Sequence, residues 1–396
     1  MTYWPPLLPA ADVNDLSAPP SSAVLDEWDE LVSRTPGTDV TQLSVWGRVR
    51  AMEGFRPRWV LARRHGRLVG GAQIMLRRLP VLGHVGYVAY GPLVAVNAPE
   101  RADVARDLAR DLAQLEDVRM LFVQPPEGGQ DFRDHLLNHG FRHSTTQVAL
   151  RGSIRIDLTR DIHEIRQRLS PRLRSWSSRW PSVGVAVRLG DERDLPLLVD
   201  LMRATAAAQG YHSPPRLEYL QHLYTTLALS GQAALFVGEV HGRPVTADLV
   251  TMCGGMVRGR YAGFDRTGPG ARLSVPGAAR WEMIRWAKQS GYRWLDFGGL
   301  ADETLRDTID LGRRSCASWP GPDKAKLSFG GEPYRYPAPV ELIRPAALRL
   351  ALNAVTKSEL GRHGMEQVRI WMRARRERDW PQRWIRKPRA GSTTPP

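Results

Sequence analysis

One order of elements occurs twice along this chain of 396 residues. Trp59-Val60-Leu61-Ala62 is a strand-like apolar run, followed by Gly66-Arg67-Leu68-Val69 and a second run, Ala72-Gln73-Ile74-Met75-Leu76. Further on, Leu235-Phe236-Val237-Gly238-Glu239-Val240 leads into Gly242-Arg243-Pro244-Val245 and Ala247-Asp248-Leu249-Val250. Each Gly-Arg reads as a tight hairpin turn between two strands. Tyr87 in the first copy answers Tyr261 in the second. A helical pattern over 99–116 answers one over 276–290, each with a proline near its start, where the missing N–H costs nothing. A strand follows each helix, Met120-Leu121-Phe122-Val123 and Trp294-Leu295-Asp296-Phe297. Glycine to phenylalanine spans 56 residues in the first copy (66 to 122) and 55 in the second (242 to 297). That period is too long for a solenoid, so the pattern points to a duplicated α+β domain.

The expected fold class is α+β: two tandem domains, each a mixed sheet flanked by helices, with a basic helical tail. The spacing places the first domain at 1–160 and the second at 161–334. A Leu/Ala/Arg-rich stretch over 335–385 reads as a helical tail that joins the first domain, and 386–396, rich in Gly, Ser, Thr and Pro, reads as disordered.

Composition excludes several classes. Only two cysteines occur, Cys253 and Cys316, so neither a disulfide framework nor a cysteine zinc site is available. The histidines form no H-E-x-x-H pattern, and no metal is expected. No apolar run approaches the ~18 residues of a membrane-spanning helix. The opening Met1-Thr2-Tyr3-Trp4-Pro5-Pro6 lacks the basic and apolar regions of a secretory signal. A cytoplasmic monomer is the expectation, with the inner face of the membrane as a candidate peripheral contact.

Charge points to a polyanionic partner. The chain carries 56 Lys and Arg against 41 Asp and Glu, a net of +15. From Glu341 to Pro396 there are 13 basic and 5 acidic residues, so this stretch holds +8 of that excess. A second run, Arg166, Arg168, Arg172, Arg174 and Arg179, has no acid between Arg166 and Arg179, with Trp176 and Trp180 interleaved. Such a stripe is either a solvated face or a phosphate-contacting surface with stacking platforms, and lipid head groups and RNA both fit it.

A duplicated unit with a strand–loop–helix crossing resembles N-acyltransferases of the GNAT type. The loop where that fold holds the pyrophosphate of acyl-CoA would be Arg266-Thr267-Gly268-Pro269-Gly270-Ala271, and Pro269 stands where the first glycine is needed. An acyl-CoA donor is therefore disfavoured.

Four segments in order resemble the FemABX family of aminoacyl-tRNA-dependent peptidyltransferases. Gln42-Leu43-Ser44-Val45-Trp46-Gly47-Arg48-Val49-Arg50 is similar to its Q-x-x-x-W-x-x-x-K entry helix, and Tyr87-Val88-Ala89-Tyr90-Gly91-Pro92 to its Y-x-x-x-G-P turn. Gly291-Tyr292-Arg293-Trp294-Leu295-Asp296-Phe297-Gly298-Gly299 is similar to a G-x-x-x-x-D-x-x-G strand, and Ala325-Lys326-Leu327-Ser328-Phe329-Gly330-Gly331 to an F-K-x-x-F-G-G motif. The resemblance runs from about residue 22 to about 345, and no heptad run long enough for a coiled-coil arm is present. It implies two GNAT-like domains and transfer of an aminoacyl group from tRNA to the free amine of a peptide, by default a peptidoglycan precursor. Aminoacyl-tRNA would be a co-substrate, with no cofactor.

The site residues follow from that resemblance. Lys326 is the expected catalytic residue, offsetting charge at the tRNA 3′ end, with Phe329, Gly330 and Gly331 around it to admit close approach. Arg168, Arg172, Arg174 and Arg179 are assigned to the tRNA backbone. Trp46, Arg48, Tyr90, Tyr211, Tyr261 and Asp296 are assigned to the acceptor, although Tyr90 and Tyr261 also suit core-edge aromatics, and Asp296 a structural acid. Two departures touch the acceptor: Ala95 stands where the family often has an acid, and Ala208 where it often has arginine. They favour a second reading, tRNA-dependent peptide-bond formation on a small peptide or amine in natural-product biosynthesis.

Overall fold

The computed structural model describes residues 12–16, 20–80, 82–98, 100–209 and 214–350. The chain divides into two compact units, one running to Ile343 and one from Arg344 onward. In the second unit residues 346–350 are helical; the rest of the expected tail, including 386–396, lies outside the described residues.

The strands of the first unit are β1 (Asp12–Leu16), β2 (Arg56–Arg64), β3 (Arg67–Leu79), β4 (Gly83–Ala89), β5 (Leu93–Val94), β6 (Val118–Gln124) and β7 (Arg142–His143). They continue as β8 (Gly152–Asp157), β9 (Val185–Gly190), β10 (Ala233–Val240), β11 (Arg243–Cys253), β12 (Met256–Phe264), β13 (Trp294–Gly299), β14 (Glu332–Arg335) and β15 (Val340–Ile343). They build two sheets, β1-β2-β3-β4-β6-β15-β7 with β5 on β3, and β14-β8-β13-β12-β11-β10-β9.

The repeat is visible in both. β2-β3-β4 and β10-β11-β12 are antiparallel meanders. A helix, Arg101–Ala113 or Val275–Gln289, then crosses over to a parallel strand, β6 beside β4 or β13 beside β12. The hairpin turns sit one residue earlier than the Gly-Arg pairs suggest. They are His65-Gly66 (φ 49° and 75°) and His241-Gly242 (φ 48° and 76°), two left-handed residues in succession, as a type I′ turn requires.

The copies differ at the parallel pair. β4 and β6 stay together from His84–Val118 to Ala89–Gln124. β12 and β13 pair only over Met256–Arg258 and Trp294–Asp296, and no pairing joins them beyond. The ladder between the two strands is therefore lost from Gly259 and Phe297 onward, where Gly259 still lies against the Phe297 backbone, and the strands are open beyond it.

Two boundaries move. β8, counted in the first domain from sequence, pairs with β13 and β14 in the second sheet. The stretch read as the start of a helical tail forms β15 instead, which returns to the first sheet beside β6 and β7. Its Val340 and Ile343 are buried, with Glu341 and Leu342 half-buried between them.

Three large apolar clusters hold the unit. One packs helix Val275–Gln289 on the second sheet, through Val250, Val257, Leu295, Ile284 and Phe329. Another packs helix Arg101–Ala113 on the first sheet, through Val60, Ile74, Leu108 and Leu121. The third is shared: Trp28, Val32 and Trp46 of the first half pack with Leu198, Leu220 and Leu249 of the second. Because burial of apolar area drives association, this shared core makes the halves one body.

Candidate active site

The entry helix Ser44–Ala51 is anchored by Gln42. Its side-chain amide donates to Ala89 O at 2.9 Å and its carbonyl accepts from Gln73 N–H at 2.9 Å, while the Gln73 amide returns to Leu43 O at 2.8 Å. The motif glutamine thus ties the helix to β3 and β4. Within the helix, Trp46 and Arg50 share one face, four residues apart. Trp46 is buried, with the Arg260 guanidinium 5.4 Å over its ring. Arg50 lies half-buried, 4.6 Å over the Phe55 ring and 5.8 Å over Tyr87, and is ion-paired with Glu53. Burial would lower its pKa, but the Tyr87 hydroxyl, Glu53 and Tyr219 favour the cation and leave it raised.

Arg48 points elsewhere. It is exposed, and its carbonyl lies 3.2 Å from His222 Nε2. The motif spacing Gln42-Trp46-Arg50 identifies Arg50, which the sequence reading passed over. Tyr219 and Glu53, which also meet Arg50, carried no sequence signal.

A buried ionic network joins the halves. Asp39, 2% exposed, accepts from Arg258 at 2.7 Å and Arg260 at 3.0 Å. Burial pushes its carboxyl up, yet Arg260 and Arg258 outweigh that and hold the pKa at about 2. Arg258 also donates to the Tyr336 hydroxyl at 2.7 Å, as does Arg155, also at 2.7 Å. Arg155 reaches Glu127 of the first half at 2.8 Å. Asp296 sits at the centre, fully buried, with Arg258 Nε 3.4 Å and Arg155 Nε 3.9 Å from one carboxylate oxygen and Gly298 N–H donating to the other at 2.7 Å. This is an ion cluster, so Asp296 is a structural acid. Tyr90 belongs to the same wall: it is 2% exposed, accepts from Leu150 N–H at 3.1 Å, and lies under Arg258 at 4.5 Å. Burial raises its phenol to about 12.

Tyr261 lies against the shared core, and burial raises its phenol above the ordinary value. Tyr211 lies outside the described residues. Of the six residues expected at the acceptor, Trp46, Tyr90, Tyr261 and Asp296 are buried or half-buried at the junction of the halves, while Arg48 is exposed.

Lys326 sits across the opened strands. It lies on helix Gly321–Leu327, and its ammonium donates to Gly299 O at the end of β13. Burial lowers its pKa, with Arg280 acting in the same direction and Asp323 and Asp296 opposing. Arg280, on helix Val275–Gln289, is paired at 3.5 Å with Asp248 of β11. Asp248 is buried, which holds its carboxyl above the usual range. Lys326 is thus a half-buried amine held by a carbonyl at the end of β13, its pKa below that of a free lysine.

Its motif neighbours serve packing. Phe329 is 2% exposed and meets Phe297, ring centroids 4.8 Å apart. Gly330, at φ +70°, approaches the chain so closely that a Cβ would lie 2.1 Å from Arg168 O. At Gly331 a Cβ would lie 2.7 Å from Arg155 O. The glycines were expected to admit a ligand; they admit the protein's own backbone.

The arginine stripe is mixed. Arg168, Arg172 and Arg179 are exposed, and Arg174 donates to Gln167 O at 2.8 Å. Arg166 instead ties two helices together through Ser177 at 2.9 Å and Ser178 at 2.5 Å. Trp180 is no stacking platform: it is buried, with its indole N–H donating to Leu273 O at 2.9 Å. Among the described residues no three His, Cys, Asp or Glu side chains gather to hold a metal ion, and no helix is long and apolar enough to cross a membrane.

Comparison with known proteins agrees with this architecture. Residues 165–306 match the acetyltransferase (GNAT) domain family, which is most of the second half. The Lipid II:glycine glycyltransferase of Staphylococcus aureus strain MRSA252 is 24% identical over 222 residues, 53% of this chain and 52% of that protein. The resemblance to the FemABX family is borne out. The chain spans about half the length of the curated relatives it matches. The crystal structure of FemX superposes with a TM-score of 0.70 at 17% identity, covering 83% of this chain and 98% of that one. L-PGS from Bacillus licheniformis follows at 0.51 and 13% identity, covering 85% and 96%. Both show the fold: two GNAT-like halves of α+β type.

Proposed function

We propose that this protein is an aminoacyltransferase that moves an amino acid from aminoacyl-tRNA onto the free amine of a peptide, with a peptidoglycan precursor as acceptor. The observation that carries the reading is Lys326, a half-buried cation of lowered pKa at the opened β12–β13 pair. The relatives named Lipid II:glycine glycyltransferase support the acceptor class.

An aminoacyl ester is already activated, so no covalent enzyme intermediate is needed. The acceptor amine attacks the ester carbonyl, the C–N bond forms, and the C–O bond to the ribose breaks. The amine's proton leaves and the ribose oxygen takes one up. Lys326 stands to offset the oxyanion in the transition state, and removing one such donor costs about 10²–10³ in rate. Arg50, with its base above the aromatic wall of Phe55 and Tyr87, is suited to an anionic group of the acceptor; Arg48 is not. The basic surface at Arg168, Arg172, Arg174 and Arg179 supplies a footprint for the RNA backbone.

The second reading keeps the donor and changes the acceptor to a small peptide or amine of a biosynthetic pathway. It is favoured by Ala95, where no side chain can hold a polar acceptor group. The test offers a mixed, labelled aminoacyl-tRNA pool with nucleotide-linked stem peptide in one arm and small amines in another. Mass analysis identifies the product. Aminoacylated stem peptide supports the first reading, aminoacylated small amine the second, and acyl transfer from acyl-CoA with no RNA present would refute both.

A further inference from the structure

A cavity of about 250 Å³ opens on the outer side of the Lys326 helix, lined by Arg168, Ser170, Arg314, Cys316, Trp319 and Lys324. Three of those side chains are cations. Arg168 shares the exposed Glu332 at 3.2 Å, and Lys324 donates to Ala317 O at 2.6 Å. The acid behind the cavity, Asp307, is already engaged by the Trp319 indole at 2.9 Å and by Arg313 at 3.3 Å. The lining therefore presents donors and a surplus of positive charge. That is the chemistry of a phosphate site.

Position says which phosphate. Lys324 and Lys326 are two residues apart on helix Gly321–Leu327, about 200° around its axis at 3.6 residues per turn. One faces the cavity and the other the opened strands. The two sites are separated by roughly the ~10 Å diameter of a helix. The Arg50 and Tyr87 side chains suited to the acceptor lie at the junction of the halves instead.

Resting on the donor reading above, we infer that this cavity holds a backbone phosphodiester in the single-stranded 3′ end of the donor tRNA. With the ester carbonyl at Lys326, a phosphate that far away belongs to the last few nucleotides. Arg168 and Arg314 bracket the phosphate and Lys324 meets it from the helix.

The cavity carries its own reporter. Cys316 lines it, and the Ser318 hydroxyl 3.1 Å from its sulfur lowers its pKa. The other cysteine, Cys253, is pushed up to about 12 by burial. Iodoacetamide should therefore label Cys316 selectively. With full-length tRNA at ten times its Kd, alkylation of Cys316 should slow about tenfold by mass action. A tRNA lacking its last three nucleotides should bind through its body and protect little. Arg314→Ala should lower the log–log salt slope of tRNA binding by about 0.7.

Bound tRNA that leaves the alkylation rate unchanged overturns the cavity assignment alone. Equal protection by the truncated tRNA overturns the 3′-end placement. Protection by the nucleotide-linked stem peptide, with none by tRNA, gives the cavity to the acceptor and overturns it too. Failure of any tRNA to bind in a filter assay sinks the donor reading itself, and this inference with it.

Discussion

Replacing Asp39 by Asn removes one charge from the centre of the junction without changing its shape. The carboxylate is 2% exposed and pairs with Arg258 at 2.7 Å and Arg260 at 3.0 Å. Arg258 keeps Asp296 at 3.4 Å and the Tyr336 hydroxyl at 2.7 Å. Arg260 has no second carboxylate among the described ion pairs. Stranding a buried charge costs about 3–5 kcal/mol. Guanidinium unfolding followed by the fluorescence of the 13 tryptophans should show a lower midpoint with little change in slope. The pH dependence gives an independent estimate. Asp39 falls from 3.8 to about 2 on folding, which at 1.36 kcal/mol per unit is about 2–3 kcal/mol. A depressed carboxyl stabilises above its unfolded pKa and loses that contribution as pH falls through the folded one. Wild type should therefore lose it between about pH 4 and 2, and Asp39→Asn should lack that component. In Arg260→Met the same Asn substitution should cost less, because one stranded charge is already gone. A loss below about 1 kcal/mol, or an unchanged acid limb, would refute the claim that this network locks the halves.

Three further outcomes follow from the geometry. Lys326→Ala should lower kcat and kcat/KM together by about 10²–10³ while tRNA affinity survives, and Lys326→Arg should recover only part; a wild-type single-turnover rate would remove Lys326 from the chemistry. Arg50→Ala should raise the acceptor KM or lower kcat/KM, whereas Arg48→Ala, at an exposed position, should leave both within twofold (about 0.5 kcal/mol of wild type); equal effects would contradict the placement of Arg50. Replacing Arg172 and Arg174 by Ala should flatten the salt slope of tRNA binding by about one to two units; an unchanged slope would return them to a solvated face.

What the sequence revealed depended on how local the cause was. The duplicated hairpins were legible because His65-Gly66 and His241-Gly242 fix their turns within two residues. Arg50 was legible in principle, since four-residue spacing from Trp46 puts it on the same helix face; Arg48 is nearer in sequence and exposed. The roles of Gly330 and Gly331 were not legible, because the backbone they admit belongs to Arg168 and Arg155. Nor was the ion cluster, whose partners Asp39 and Arg258 are 219 residues apart. Alternation alone gives no sign that β15 crosses back to the first sheet. The open β12–β13 pair is equally silent, since it differs from β4–β6 in the length of its ladder rather than in composition.

The central claim is that the donor is an aminoacyl ester of tRNA. Its most direct test measures transfer of a radiolabelled amino acid from a charged tRNA pool to a stem-peptide or small-amine acceptor by purified protein, with and without ribonuclease pretreatment of the pool. The account predicts label in the acceptor, amide-linked and stable to mild base, and its loss after ribonuclease. Transfer that survives ribonuclease, or that proceeds from an acyl-CoA without RNA, would contradict it.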